Sequence, residues 1–252
     1  MNYTWNWGVF WQPVAAGKGI YVDWLISGVT WTIVTGLSAW IIALVLGSII
    51  GVVRTMPVRW VVMLGNAWVE FFRNVPLLVQ MFLWYFVVPE LLPTDIGERI
   101  KQMHPPWSSF LPAVLCLGTF TSARVAEQVK AGIQTLPRGQ TYAGLAVGLT
   151  LPQTYRYVLL PMAYRIIMPP LTSEFLNCLK NTSVALTIGL LELTAQTRAM
   201  TEFTFQSFEA FTVATAIYVI ITLTVVFGMR WVEGKVSVPG YIGGASQGTG
   251  GH

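Results

Sequence analysis

"WLISGVTWTIVTGLSAWIIALVLGSIIGVV", residues 24–53, runs for 30 residues without one charged side chain. A helix needs about 20 predominantly apolar residues to cross a bilayer, so this run alone reads as a membrane span. Two further runs agree with it. Residues 210–229 carry no charge over 20 positions, and residues 102–123 carry only His104 over 22. Charged residues make up 10% of the 252-residue chain, against about 25% in soluble domains. Backbone polar groups in lipid must be satisfied within the segment that carries them, so the spans are helical. The fold class is an all-α polytopic membrane protein.

Five spans are predicted, at about 24–53, 74–92, 106–124, 166–191 and 210–230. The first is longer than one perpendicular crossing and is expected to tilt or extend beyond the membrane. The second has 16 residues between Arg73 and Glu90 and ends in the proline-rich "VVPELLP". The fourth is interrupted by Glu174 and Lys180. Residues 1–239 form one transmembrane domain, and the Gly- and Ser-rich residues 240–252 are expected to be a disordered tail. Trp5, Trp7 and Trp11 suit interfacial anchoring, and no signal peptide is expected ahead of the first span.

Charge distribution orients the chain. With the N-terminus outside, the inner segments hold Arg54, Arg59, Arg73, Arg124, Lys130, Arg138, Arg156, Arg165, Arg230 and Lys235; the outer ones hold Lys18, Arg99, Lys101 and Arg198. Ten basic residues against four predict a periplasmic N-terminus and a cytoplasmic C-terminus. The net charge of +4 gives no basis for a nucleic-acid partner; membrane lipid is the expected surroundings.

The same orientation puts a cytoplasmic loop at about 125–165. "SARVAEQVKAGIQTLPRGQ" (122–140) continues the third span as helix, with Arg124–Glu127 and Glu127–Lys130 at i,i+3 spacing. Leu136-Pro137 stops it. A second segment at 140–148 is rich in small residues, Gly148 ends it or permits close contact, and Leu151-Pro152 restarts the chain. Physics alone leaves two readings of this short element, a docking device or a plain connector.

"TYAGLAVGLTLPQTYRYVLLP" (141–161) resembles the "EAA" loop of permease subunits in ATP-binding-cassette (ABC) importers. That pattern runs Glu-Ala-Ala, three residues, Gly, nine residues, Ile, one residue, Leu-Pro. Here the register is Tyr142, Ala143, Gly144, then Gly148, then Val158, Leu160 and Pro161. Tyr stands for the Glu, Gly for the second Ala and Val for the Ile. "RNVPLLVQMFLWYF" (73–86), the whole of 136–171 and "LKNTS" (179–183) are similar to the polar amino-acid permeases of that superfamily. The resemblance implies the type I ABC importer permease fold. It also implies an ABC ATPase dimer as partner, a second and paralogous permease subunit, and a periplasmic amino-acid-binding protein. The cargo it implies is a polar amino acid, glutamate or aspartate, with glutamine as the alternative. The loop would then dock on the ATPase, with Gly148, Ala143 and Gly144 suiting close approach.

Polar residues at membrane depth are candidates for function. At about 100° per residue, Ser173, Glu174, Asn177, Lys180 and Asn181 share one helix face, opposite Phe175, Leu176 and Leu179. With Thr182 and Ser183 they form the predicted substrate pathway. Lys180 suits a substrate carboxylate, Asn177 or Asn181 an α-amino or α-carboxyl group, and Glu174 an ammonium. The alternative is structural, with Glu174 and Lys180 neutralising each other or residues of a partner chain. Arg73 and Asn74 open the second span as a possible gate, Arg73 alternatively snorkelling to phosphate; Gln80 is a weaker pathway candidate.

Other classes find little support. The chain has no G-x-x-x-x-G-K-[ST] loop, so ATP and Mg are expected at a partner ATPase and no cofactor on this chain. There is no G-x-S-x-G, paired His or close Asp/Glu dyad for an enzyme. Cys116 and Cys178 read as small apolar residues in packed spans, with no disulfide or metal between them. A stand-alone transporter or channel is the main rival; against it, five spans make no even inverted repeat.

Overall fold

The computed structural model describes residues 3–15 and 19–236. Lys18 and the predicted tail at 240–252 lie outside these. Among the described residues there are no strands, only an isolated bridge between Pro13 and Ile20.

Among the described residues, nine α-helical rods follow the 3-10 turn Trp7–Trp11. They are α1 (Tyr21–Val53), α2 (Arg59–Asn74), α3 (Leu77–Leu91), α4 (Thr94–Lys101) and α5 (Trp107–Thr135). After these come α6 (Arg138–Ala146), α7 (151–181), α8 (Leu193–Thr204) and α9 (Ser207–Val236). The odd-numbered helices are the five predicted spans. By length and composition α1, α5 and α9 each suffice to cross a membrane, and α3 joins α2 across a 103° bend as a fourth. α7 is more polar, carrying Pro169, Pro170, Glu174 and Lys180, yet it packs into the centre of the bundle through Ala163, Ile167, Leu171, Phe175, Cys178 and Leu179.

α1 and α5 form the axis of the fold. α1 buries Gly28, Thr32, Gly36, Ala39, Ala43, Gly47 and Gly51, a nearly four-residue repeat of small side chains. In lipid there is little hydrophobic drive between helices, and small residues favour association by letting backbones approach closely. A Cβ on Gly47 would lie 2.6 Å from Val125 Cβ and 2.7 Å from the Ser122 carbonyl. The other side of α1, with Ile26, Leu37, Ile41, Val45 and Ile49, is exposed and suits contact with lipid.

Several expectations need correction. The second span does not begin at 74: α2 is a helix of its own, and the chain breaks between Asn74 and Leu77. Gln80 is no pathway residue, because its Nε2 donates to the Phe72 and Val75 carbonyls (3.0 and 2.8 Å) and so caps this break. The fourth span starts at 151, well before 166, and its regular helix ends at Asn181, followed by the 3-10 turn Thr182–Ile188. A π-turn, Tyr155–Leu159, comes immediately before Pro161, whose missing N–H interrupts the ladder. α8 occupies what reads in sequence as a loop. The buried Glu192 carboxylate starts it by accepting from the Thr194 and Ala195 amides (2.9 and 2.8 Å).

Candidate functional site

α6 projects from the basic end of the bundle, where the Tyr155 hydroxyl at the base of α7 donates to the Thr55 carbonyl beside Arg54. Its predicted stop and restart are both present. α5 ends at Thr135 before Leu136-Pro137, and the Thr150 and Gln153 side chains cap the start of α7. Gly148 sits at φ +88° with nothing within 4 Å of where a Cβ would stand. Its role within the chain is therefore the left-handed turn itself. Tyr142, Leu145 and Val147 are exposed, Tyr142 by 66%, and Ala143 is exposed beside them.

Gly144 behaves otherwise. It is buried against Thr154 of α7, 2.8 Å from the site of a Cβ to Thr154 Cγ2. Its close approach is to its own chain, and it locks α6 onto the base of the α7 rod. Val158 and Leu160 are half-buried along that rod and Pro161 is exposed.

The other end of the rod carries the polar face. Ser173 and Lys180 are exposed and Glu174, Asn177 and Asn181 half-buried, opposite buried Phe175 and Leu179. Lys180 and Ser183 line an open, mostly apolar cavity of about 470 Å³ together with Thr194, Thr215, Tyr218, Val219, Thr222 and Leu223. The Tyr218 hydroxyl lies 3.0 Å from Glu192 Oε2 and 2.9 Å from Thr194 Oγ1, so this wall is held in place by hydrogen bonds. Glu174 pairs with Arg124 of α5 (4.0 Å); the proposed neutralisation by Lys180 is replaced by this cross-helix pair. Thr182 is fully buried and donates to the Leu179 carbonyl (2.7 Å), which takes it off the pathway face. Lys180 brings the one ammonium to this lining, which is otherwise apolar surface and hydroxyls. A signal for its far wall is present in the sequence: Thr215, Tyr218 and Thr222 recur at helical spacing within an uncharged span.

Arg73 meets Glu127 (3.3 Å), which Arg54 also holds (2.9 Å) while donating through Nε to Asn66. Asn74 is exposed at the α2–α3 break. The i,i+3 pairing of Arg124 with Glu127 does not form; packing of α1 and α2 against α5 supplies Glu127 with closer cations. Glu127→Gln removes the partner of the buried Arg54 and is expected to cost about 1–3 kcal/mol, which thermal unfolding in detergent measures.

An all-helical bundle with long apolar helices, a projecting helix at its basic end and a cavity between helices is the architecture of an integral membrane protein. The chain belongs to the family of binding-protein-dependent transport system inner membrane components, which its residues 43–238 match. It is 51% identical over 245 residues to the glutamate/aspartate import permease protein GltJ of Escherichia coli (strain K12), covering 97% of this chain and 100% of that one. A probable glutamine ABC transporter permease protein, GlnM of Bacillus subtilis (strain 168), is 32% identical over 195 residues, 76% of this chain and 83% of its own. The crystal structure of an amino acid ABC transporter with histidines shares the fold at a TM-score of 0.72 and 30% identity, covering 85% of this chain and 95% of that one.

Proposed function

We propose that this chain is the pore-forming permease subunit of an ATP-driven importer for glutamate and aspartate, with its N-terminus periplasmic and its basic end cytoplasmic. The observation that carries the substrate is the 51% identity to a glutamate/aspartate permease along 97% of the chain; the cavity around Lys180 is consistent with an acidic amino acid. Hydrolysis of ATP falls to a separate ATPase dimer, on which α6 docks. A second permease completes the pore, and a periplasmic binding protein delivers the cargo. Arg73 and Asn74, at the cytoplasmic end, stand where a gate would close.

The geometry suggests how force travels. α6 is seated on Thr154, and Thr154 belongs to the same rod as Lys180, 26 residues further on, or roughly 39 Å at 1.5 Å per residue. Movement of α6 by a closing ATPase would therefore be passed toward the polar face along one continuous helical rod, with no loop between.

Lys180→Met tests the pathway. It is expected to reduce uptake of labelled glutamate and aspartate at least about tenfold, the scale of one lost charge-assisted contact, while the assembled complex keeps its basal ATPase activity. Uptake equal to wild type, with an unchanged preference over glutamine, would remove Lys180 from the pathway.

A further inference from the structure

No Asp or Glu occurs between Glu127 and Glu174, a stretch that holds Lys130, Arg138, Arg156 and Arg165. The projecting element is thus basic without any compensating acid. Gly144 fixes which way α6 faces, since it is pinned to Thr154. Taking about 100° per residue, the side opposite Gly144 carries Arg138, Tyr142, Leu145 and Ala146 in one stripe. Arg138, Tyr142, Leu145 and Ala146 are all exposed. Arg156, on the π-turn, is exposed as well and lies over the Tyr157 ring (5.7 Å).

Resting on the reading of α6 as the helix that docks on an ATPase, we infer that its receptor is an apolar cleft rimmed by carboxylates. Tyr142 and Leu145 are the side chains seated in it, and Arg138 and Arg156 meet the rim. Two observations favour a protein over the anionic lipid surface as the occupant of this stripe. α5 continues for 11 residues from Arg124 to Thr135, about 16 Å, before α6 begins, whereas the headgroup layer is only about 5–8 Å deep on each side. The stripe also presents an exposed aromatic ring one helical turn from Arg138, the pairing of an anchor with a charged rim. Tyr142 stands where the resembled loop carries an acid, so the polarity of the contact is reversed here.

The test uses the tagged full chain co-expressed with its ATPase, and measures the ATPase retained after gentle detergent extraction. Wild-type retention is expected to fall as salt rises from roughly 0.1 to 1 M, because rim charges are screened. Tyr142→Glu and the pair Arg138→Glu with Arg156→Glu are each expected to lose retention about tenfold through like-charge contact, with Tyr142→Phe close to wild type. Arg138→Ala with Arg156→Ala adds no charge that could disturb insertion and should weaken retention in the same direction. Retention by Tyr142→Glu equal to or above wild type would overturn the inference, as would indifference to both arginine pairs. If the arginine variants instead kept the ATPase and lost bound anionic lipid, the rim would be a membrane contact and the inference would fall. A wild-type chain that retains no ATPase would overturn the docking reading itself, which keeps the two failures apart.

Discussion

A chain carrying Gly148→Val is expected to insert, fold and yet import nothing measurable. The reasoning separates two costs. At φ +88° a β-branched residue is strained by about 1–2 kcal/mol, a modest loss for a bundle of this size. Beyond its two chain neighbours, no atom of the described residues lies within 4 Å of the new Cβ, so packing adds no clash there. If α6 were only a connector, that strain would be the whole effect, and uptake would follow the small drop in stability. If α6 docks, the strain re-aims the helix and the isopropyl group stands in the contact. Retained ATPase and uptake would then fall at least about tenfold with the unfolding temperature nearly unchanged. Uptake near wild type would return α6 to the status of a linker.

The second large effect is structural. Gly47→Leu is expected to abolish recovery of folded protein, because the obstacle at 2.7 Å is the Ser122 carbonyl, part of the α5 backbone, with Val125 beside it. Side chains can rotate away, but a helix backbone cannot without opening the α1–α5 seam. Overpacking of cores usually costs about 1–3 kcal/mol; here the separation would run along much of the seam and the cost should exceed that range. The control is Ile41→Leu on the exposed side of α1, which should be neutral. Monodisperse yield after extraction compares the two, and equal yields would mean that α1 and α5 do not associate through this stripe.

The residues explain which features were legible in advance. The 30 uncharged residues at 24–53 announce α1, and Leu136-Pro137 with Gly148 delimit α6, since both signals depend only on local backbone chemistry. α2 is hidden because its charges leave no uncharged run long enough to span a membrane. Gly65, Val69 and Phe72 are buried while Trp60, Met63 and Leu64 are exposed, and Arg59, Glu70 and Arg73 make the segment read as a link. The start of α7 is hidden because Leu151-Pro152 and Leu160-Pro161 read as parts of the loop element, whereas both prolines sit in the first turns of helical segments.

The site divides in the same way. The polar face of α7 follows from helical spacing within one segment, and its exposed and buried sides fall as that spacing requires. The partners of its charges do not. Glu174 finds Arg124, 50 positions away, and Glu127 finds Arg54, 73 positions away. Such pairs exist only once α1, α5 and α7 are packed, so local i,i+3 reasoning selects the wrong neighbour. The cavity is assembled the same way, from hydroxyls on α8 and α9 facing Lys180 and Ser183.

The most direct measurement is gentle detergent extraction of the tagged chain from its native membrane, with mass spectrometry of what co-purifies. The proposed function predicts an ABC ATPase together with a second permease, in a complex that takes up glutamate and aspartate after reconstitution with its binding protein. Recovery of this chain alone across several detergents, from membranes that hold it folded, would contradict the account and favour an autonomous transporter or channel.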